Sequence, residues 1–489
     1  MMALRWLLIL LVLLPLGVSS AQEAQPRSGE SLEEKCERLF MASWPVEGLP
    51  HAWREALAAG ELHAVALSPG DNYFAPEELS SLIAQIHEAV ERRPSFLIAA
   101  PCEGGLRGAM HPLLGGPPVP EPLALAATGS VATVEQAYAS LAATMRAQGI
   151  ALGIGPWMGM SGGAQSTRAF GADAERVVNF ADAAINGMRG GGLLAAPVLS
   201  ADAPLPAAGV LIVDDSVADP AALARQLREV QGYAGALVSP PLNEALDGVT
   251  ALNAGYDLLR IHAAHPRALR QQRAGLLEGL RSGAVSLARL DEALLRASSL
   301  NAPPPVTQRQ AESNAFEVNG AVFVKNSDGL LPLRGSRSGI LVVSPAAHLS
   351  LGGPFAAGAT LGSAIRAIAP EAREVRVSHP PTPAQIEQAL SGATGATALV
   401  LGIVDASSAE SYRDLATSFA GMGKPVIAVS LGGPEALEPF AGVDALVAAN
   451  GHSPPALRAA ARALLGEAAP EGRLPAPIGR FYPAGHAAP

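Results

Sequence analysis

The 489-residue chain holds only two cysteines, Cys36 and Cys102. Two thiols cannot build the disulfide framework of a small secreted scaffold. With Cys36 in a leading helix and Cys102 at a strand tip, they read as separate thiols rather than a pair. Charged residues make up 16% of the chain and aromatics 4%; lysine occurs only at Lys35, Lys325 and Lys424. The net charge of −10 includes no basic run, which argues against a nucleic-acid partner. Beyond the first 21 residues, no apolar run approaches the ~20 residues needed to span a bilayer. His63, His87, His111, His262 and His265 lack metal-ligand spacing. No cofactor fingerprint is present: Gly352-Gly353, after the strand ending at Ser344, lacks the Lys-Ser or Lys-Thr of a phosphate loop.

The chain does have apolar residues in quantity. At 49% they suffice for a sizeable core and exclude global disorder. Arg5, the apolar run Trp6 to Leu16 and the small residues Ser19-Ser20-Ala21 read as an export signal over 1–21, which predicts a periplasmic or extracellular protein. The alternative is an uncleaved anchor. Ser31-Leu-Glu-Glu opens a helix running into Leu39-Phe40-Met41.

Strands and helices then alternate. Strands are predicted over Ala64–Leu67, Phe96–Ala100, Ile150–Ile154, Gly192–Leu199, Val210–Val213, Ala236–Val238 and Asp257–Ile261. Helices between them include Pro76–Arg92, Thr133–Gln148, Ala174–Met188 and Pro220–Val230. This alternation predicts an α/β fold, a TIM-type (β/α)8-like barrel, with its site at the C-terminal tips of the strands. Asn301-Ala-Pro-Pro-Pro-Val306 is a stiff linker, and a smaller α/β sandwich follows it. The predicted layout is a signal peptide at 1–21, a barrel at 22–301, a linker at 302–315, a sandwich at 316–480 and a frayed tail at 481–489.

Several fragments, in order, resemble glycoside hydrolase family 3, in particular its β-N-acetylhexosaminidase branch. They are Ile98-Ala-Ala-Pro-Cys-Glu-Gly-Gly105, Gly149-Ile-Ala-Leu-Gly-Ile-Gly-Pro156, Arg168-Ala-Phe-Gly171, Ala251-Leu-Asn-Ala-Gly-Tyr-Asp257 and Gly283-Ala-Val-Ser-Leu-Ala-Arg-Leu-Asp291. Ala321-Val-Phe-Val-Lys-Asn-Ser-Asp-Gly-Leu-Leu-Pro-Leu333 resembles the opening of the family's C-terminal sandwich domain.

The resemblance fails where the family's chemistry lies. Gly232-Tyr-Ala-Gly-Ala-Leu-Val-Ser-Pro-Pro241 matches the nucleophile strand, but the nucleophilic Asp falls on Pro240, which has no side chain able to attack a glycosidic carbon. The family's sugar-binding Asp residues fall on Pro101 and Gly159. Its Lys-His-Phe-Pro-Gly-His-Gly loop, with the Asp-x-His proton donor, has no counterpart between Leu199 and Val210. A retaining glycosidase needs two carboxyl functions roughly 5–5.5 Å apart, or in this branch a carboxylate and a His-centred donor. Both halves are missing by residue type.

These losses predict a pseudo-glycosidase that binds an amino sugar, a muropeptide or a protein partner without cleaving it. The alternative is a working glycosidase with relocated acid/base residues. Its candidates are Asp214 and Asp215 at a strand tip, with Asp202 and Glu244 behind them; the competing reading makes Asp214 and Asp215 water-facing turn caps. Arg168, Trp157 and Glu103 are the candidate substrate-binding residues. Arg168 offers a bidentate fork for an acidic group and Trp157 a stacking face. The alternative gives all three structural roles.

Overall fold

The computed structural model describes residues 30–91, 96–301, 304, 318–334, 339–345, 359–406 and 409–488. The leader at 1–21, all of the linker except Pro304, and Gly352-Gly353 lie outside the described residues.

Eight parallel strands close into a barrel in chain order: β1 (Phe40–Ser43), β2 (Ala64–Ala66), β3 (Leu97–Pro101), β4 (Leu152–Trp157), β5 (Leu194–Leu199), β6 (Val210–Val213), β7 (Ala236–Pro241) and β8 (Leu258–His262). Alternating side chains split between two cores. Met41, Ala64, Ala99, Ala196, Val198, Ile212 and Val238 fill the barrel interior, where small residues match the narrow bore. Leu211, Val213 and Leu237 point outward among the surrounding helices. Each buried Leu or Val contributes about 1.5–3 kcal/mol, so the strands' short apolar runs suffice without strong alternation of polarity.

Two sequence expectations are corrected here. The predicted helix through Leu39-Phe40-Met41 stops at Glu37 after a capping box between Ser31 and Glu34. Phe40–Ser43 instead forms β1, paired with β2 on one side and β8 on the other. Closure decides this, because without β1 both neighbouring strands would be open edges. Second, β4 runs past Ile154 to Trp157, and β7 runs past Val238 to Pro241. A register shift between Val238 and Pro241 accommodates Pro240, as expected of proline in a strand. As the sequence predicts, residues 200–209 join β5 to β6 with no helix between them. One outer helix of the ideal barrel is therefore missing between β5 and β6.

Asp257 ties the base of the barrel. Fully buried, its carboxylate accepts from the Leu237 amide at 2.9 Å and from Arg289 at 2.8 Å, and it also pairs with Arg228. The Ala-Gly-Tyr-Asp fragment is thus a structural knot at the end opposite the strand tips.

The second unit is a six-stranded sheet of β9 (Val322–Asn326), β10 (Ile340–Pro345), β11 (Arg373–Val377), β12 (Ala398–Ile403), β13 (Val426–Ser430) and β14 (Ala445–Ala448). Its order is β11-β10-β12-β13-β14-β9, parallel except for β9. Helices cover both faces, each over its own apolar cluster. The segment expected to fray at the C-terminus is paired. The Ala488 amide donates to Phe323 O at 2.6 Å, Gly485 N to Leu474 O at 2.7 Å and Leu474 N to His486 O at 2.9 Å. Its short sequence rich in Ala, Gly and Pro hid this order, because the partners are main-chain groups of β9 and Leu474, distant in sequence.

Candidate functional site

Four residues at the barrel's open end form one chain of contacts. Glu103, just beyond β3, is 4% exposed and grips Arg168 in a two-pronged ion pair, with Nε to Oε2 at 2.9 Å and Nη2 to Oε1 at 2.5 Å. The Arg168 guanidinium lies 5.2 Å from the centre of the Trp157 ring. The Trp157 indole N–H donates to Asp214 Oδ2 at 3.1 Å. Burial works against the charge on Arg168, but Glu103 outweighs it and holds the pKa above its usual value.

Asp214 is half-buried at the tip of β6 and accepts from the Ser216 amide at 2.9 Å and the Ser216 hydroxyl at 2.6 Å. Burial pushes its carboxyl up, but the Ser216 bonds, Arg168 and the indole together hold it below the ordinary range. It therefore stays ionised and has no proton to give at neutral pH. Asp215 is exposed and pairs with Arg260 at 2.8 Å.

The other sequence candidates lie apart from this group. Pro240 is buried in the irregular stretch of β7, where Ser239 Oγ accepts from the Arg260 amide at 3.0 Å. Pro101 ends β3. Asp202 and Glu244 are exposed, and Asn243 closes a turn through the amides of Ala245 and Leu246. Cys36 and Cys102 are both free and buried. Burial pushes the Cys36 thiol up to about 12 and Cys102 higher still, so both stay protonated. Among the described residues, no three His, Cys, Asp or Glu side chains converge to hold a metal.

Trp157 is 9% exposed and packs among the side chains of the barrel interior. A Cβ on Gly159 would fall 2.2 Å from the indole Cη2 and Cζ2. The aromatic ring thus occupies the space beside the position where the resemblance would put a carboxylate.

Beside this group, a cleft of about 220 Å³ opens between the two units. Glu103, Arg107 and Arg168 line the barrel side, and Asp405, Gly433 and His452 line the side of the second sheet. Glu121 joins the two walls: its carboxylate accepts from the His452 amide at 2.9 Å, the Ser453 amide at 2.7 Å and the Ser453 hydroxyl at 2.6 Å. Ser166 bonds Glu435 across the same seam. Asp405 also pairs with His379 Nε2 at 3.0 Å.

Sequence reasoning missed Arg107, Glu121, Asp405 and His452, because the cleft is formed by segments of the two units that lie far apart in sequence. The Gly104-Gly105 pair was the available signal. A Cβ on Gly104 would lie 2.0 Å from Pro120 O, so only glycine lets the segment bearing Glu121 pass against the tip of β3.

Retaining glycoside hydrolysis requires one protonated carboxyl and one free carboxylate facing each other across the scissile bond. Here Glu103 is held by Arg168, Asp214 by Trp157 and Ser216, and Asp215 by Arg260. Each acid already has a structural partner.

The sequence profile of the glycosyl hydrolase family 3 N-terminal domain matches residues 31–201, and that of the family's C-terminal domain matches residues 321–481. Comparison with curated proteins gives no match. Among solved structures, a family 3 β-N-acetylglucosaminidase from Paenibacillus sp. str. FPU-7 is 20% identical, with a TM-score of 0.77 over 92% of this chain and 99% of that one. A fungal multi-domain β-N-acetylglucosaminidase is 17% identical, with a TM-score of 0.76 over 94% of this chain and 62% of its own. A β-glucosidase from Listeria innocua in complex with isofagomine is 17% identical, with a TM-score of 0.67, 94% of this chain being covered and 82% of that one. At such identities the structural likeness speaks for the fold alone. With both domain profiles matched in order over a closed barrel and a mixed sheet, the chain belongs to glycosyl hydrolase family 3.

Proposed function

We propose that this chain is an exported family 3 protein that has lost glycosidase chemistry and binds a cell-wall sugar without cleaving it. The observation that carries this reading is the commitment of Glu103, Asp214 and Asp215 to structural partners while proline stands at the position that the resemblance assigns to the nucleophile. Proline cannot form a glycosyl-enzyme bond. Asp214, the half-buried acid of the mouth, is held ionised and cannot protonate a leaving group. Trp157 fills the upper bore, and the space left for a ligand lies in the cleft between the units. Export rests on the leader at 1–21. N-terminal sequencing of protein recovered outside the cytoplasm should begin at Gln22.

The test is hydrolysis of aryl β-N-acetylglucosaminides and β-glucosides by the purified chain. The expected result is no turnover above buffer, together with a thermal shift from an amino sugar or muropeptide. Turnover abolished by Asp214→Asn or Asp215→Asn would overturn the proposal in favour of relocated acid/base residues.

A further inference from the structure

The cleft between the two units contains two guanidinium groups in very different states. Arg168 is fully occupied by the Glu103 fork. Arg107 lines the same cleft but makes no hydrogen bond or ion pair with any described residue. Burial and the charge of Arg168 both weigh against the Arg107 cation, with Glu103 and Asp214 in partial compensation. Glu103 serves Arg168, so the exposed Arg107 guanidinium lines the cleft without an ion-pair partner among the described residues. On the opposite wall, the amides of Gly432 and Gly433 donate to no described residue. A free guanidinium opposite free amides is the donor set that receives an oxyanion.

Size narrows the class of ligand. At about 30 Å³ per water, the cleft's 220 Å³ corresponds to roughly seven waters, the room of one sugar ring rather than a chain. Asp405 and the His452 imidazole at the rim suit hydroxyl groups, as acceptor and polar edge respectively.

We propose that this cleft binds a single-ring polyol bearing one oxyanion, carboxylate or phosphate, with Arg107 as the residue that takes the anion. This deepens the sugar-binding reading and rests on it. Arg107 carries no structural bond, so its replacement leaves the fold intact and isolates the binding role.

The experiment is calorimetric titration and thermal shift of the purified chain and its Arg107→Gln variant. The probes are glucuronic acid, N-acetylmuramic acid and glucose 6-phosphate, with N-acetylglucosamine, glucose and inorganic phosphate as controls. The expected result is saturable binding of at least one acidic sugar. Its affinity should fall tenfold or more in Arg107→Gln and weaken between 50 and 500 mM salt, roughly as the Debye length contracts from about 14 to 4 Å. The carboxylate and phosphate arms identify the source of the anion. Equal binding of neutral and acidic sugars overturns the inference, as does a variant that binds like the wild type or inorganic phosphate that binds as well as its sugar ester. Binding of N-acetylglucosamine alone sinks the anion site but keeps the sugar-binding reading, and no binding by any probe sinks both. Turnover with an Arg107-dependent acidic preference keeps the site and sinks the inert-scaffold reading.

Discussion

The indole of Trp157 lies where a side chain on Gly159 would begin, with two ring carbons 2.2 Å from the position of a Cβ. The two residues are two apart in sequence and follow one another at the tip of β4. A large ring at the first is compatible only with a bare backbone at the second. The ring at position 157 and the bare backbone at position 159 therefore form one packing solution.

That relationship predicts non-additivity. Trp157→Ala should cost ~3–5 kcal/mol through loss of a buried aromatic. Gly159→Asp should destabilise by overpacking and by burial of a charge. In the double variant the clash is absent, so denaturant unfolding should give a total smaller than the sum, by roughly 0.5–3 kcal/mol. Strict additivity would show that the ring moves aside freely.

Restoring the nucleophile alone should not restore catalysis. Pro240→Asp puts a carboxylate into a buried, irregular part of β7, while Asp214, the half-buried acid of the mouth, is held ionised. A lower melting temperature and no hydrolysis of an aryl β-N-acetylglucosaminide are expected. Appearance of turnover would reveal a proton donor in the wild-type mouth.

Asp214 should make stability pH-dependent in a definite direction. Its folded pKa lies below the ordinary value of 3.8, so its contribution is full above that value and is lost as pH falls through the lower folded value. Melting temperatures measured from pH 6 down to 2 should therefore decline less steeply in Asp214→Asn than in the wild type, with the two curves converging at the acid end. Parallel curves would remove Asp214 from the titration.

Glu121 should govern the coupling of the two units. Glu121→Ala strands two amides and a hydroxyl at His452 and Ser453, at a cost of roughly 2–4 kcal/mol. The predicted calorimetric signature is a single unfolding transition that splits into two. Unchanged cooperativity would place the coupling elsewhere along the seam.

The C-terminal segment should be needed for stability. Deleting residues 483–489 removes the bonds made by Gly485, His486 and Ala488, and roughly 2–4 kcal/mol is expected to be lost. The deletion also exposes β9 as an open edge, so light scattering should rise on heating. A truncated chain as stable as the whole one would return the segment to the status of a tail.

Most of the architecture was legible before any coordinates. Seven of the barrel's strands and most of its helices follow from short apolar runs alternating with helical spacing, a local signal. That position 240 offers no nucleophilic side chain was equally legible, since residue type alone disqualifies proline. The sequence could not show that Phe40–Ser43 is a strand, because its apolar residues suit either period and only closure between β2 and β8 decides. Nor could it choose between binding and structural roles for Glu103, Arg168 and Trp157. All three are polar or amphipathic residues, Glu103 and Trp157 at strand tips and Arg168 at the end of the short helix that follows β4, and their partners lie 11 to 65 residues away in sequence.

By itself, then, the sequence determined residue types and spacing: an imino acid at position 240 carries no nucleophilic side chain, and the short connection between Leu199 and Val210 needs no geometry to read. The tertiary structure alone decided what occupies the vacated space. It brings Trp157 over Gly159, pairs Glu103 with Arg168, and sets Arg107 in a cleft against Gly432 and Gly433 from the other unit. The reason is physical: covalent capability belongs to a residue, whereas occupancy and charge compensation belong to neighbours that only folding supplies.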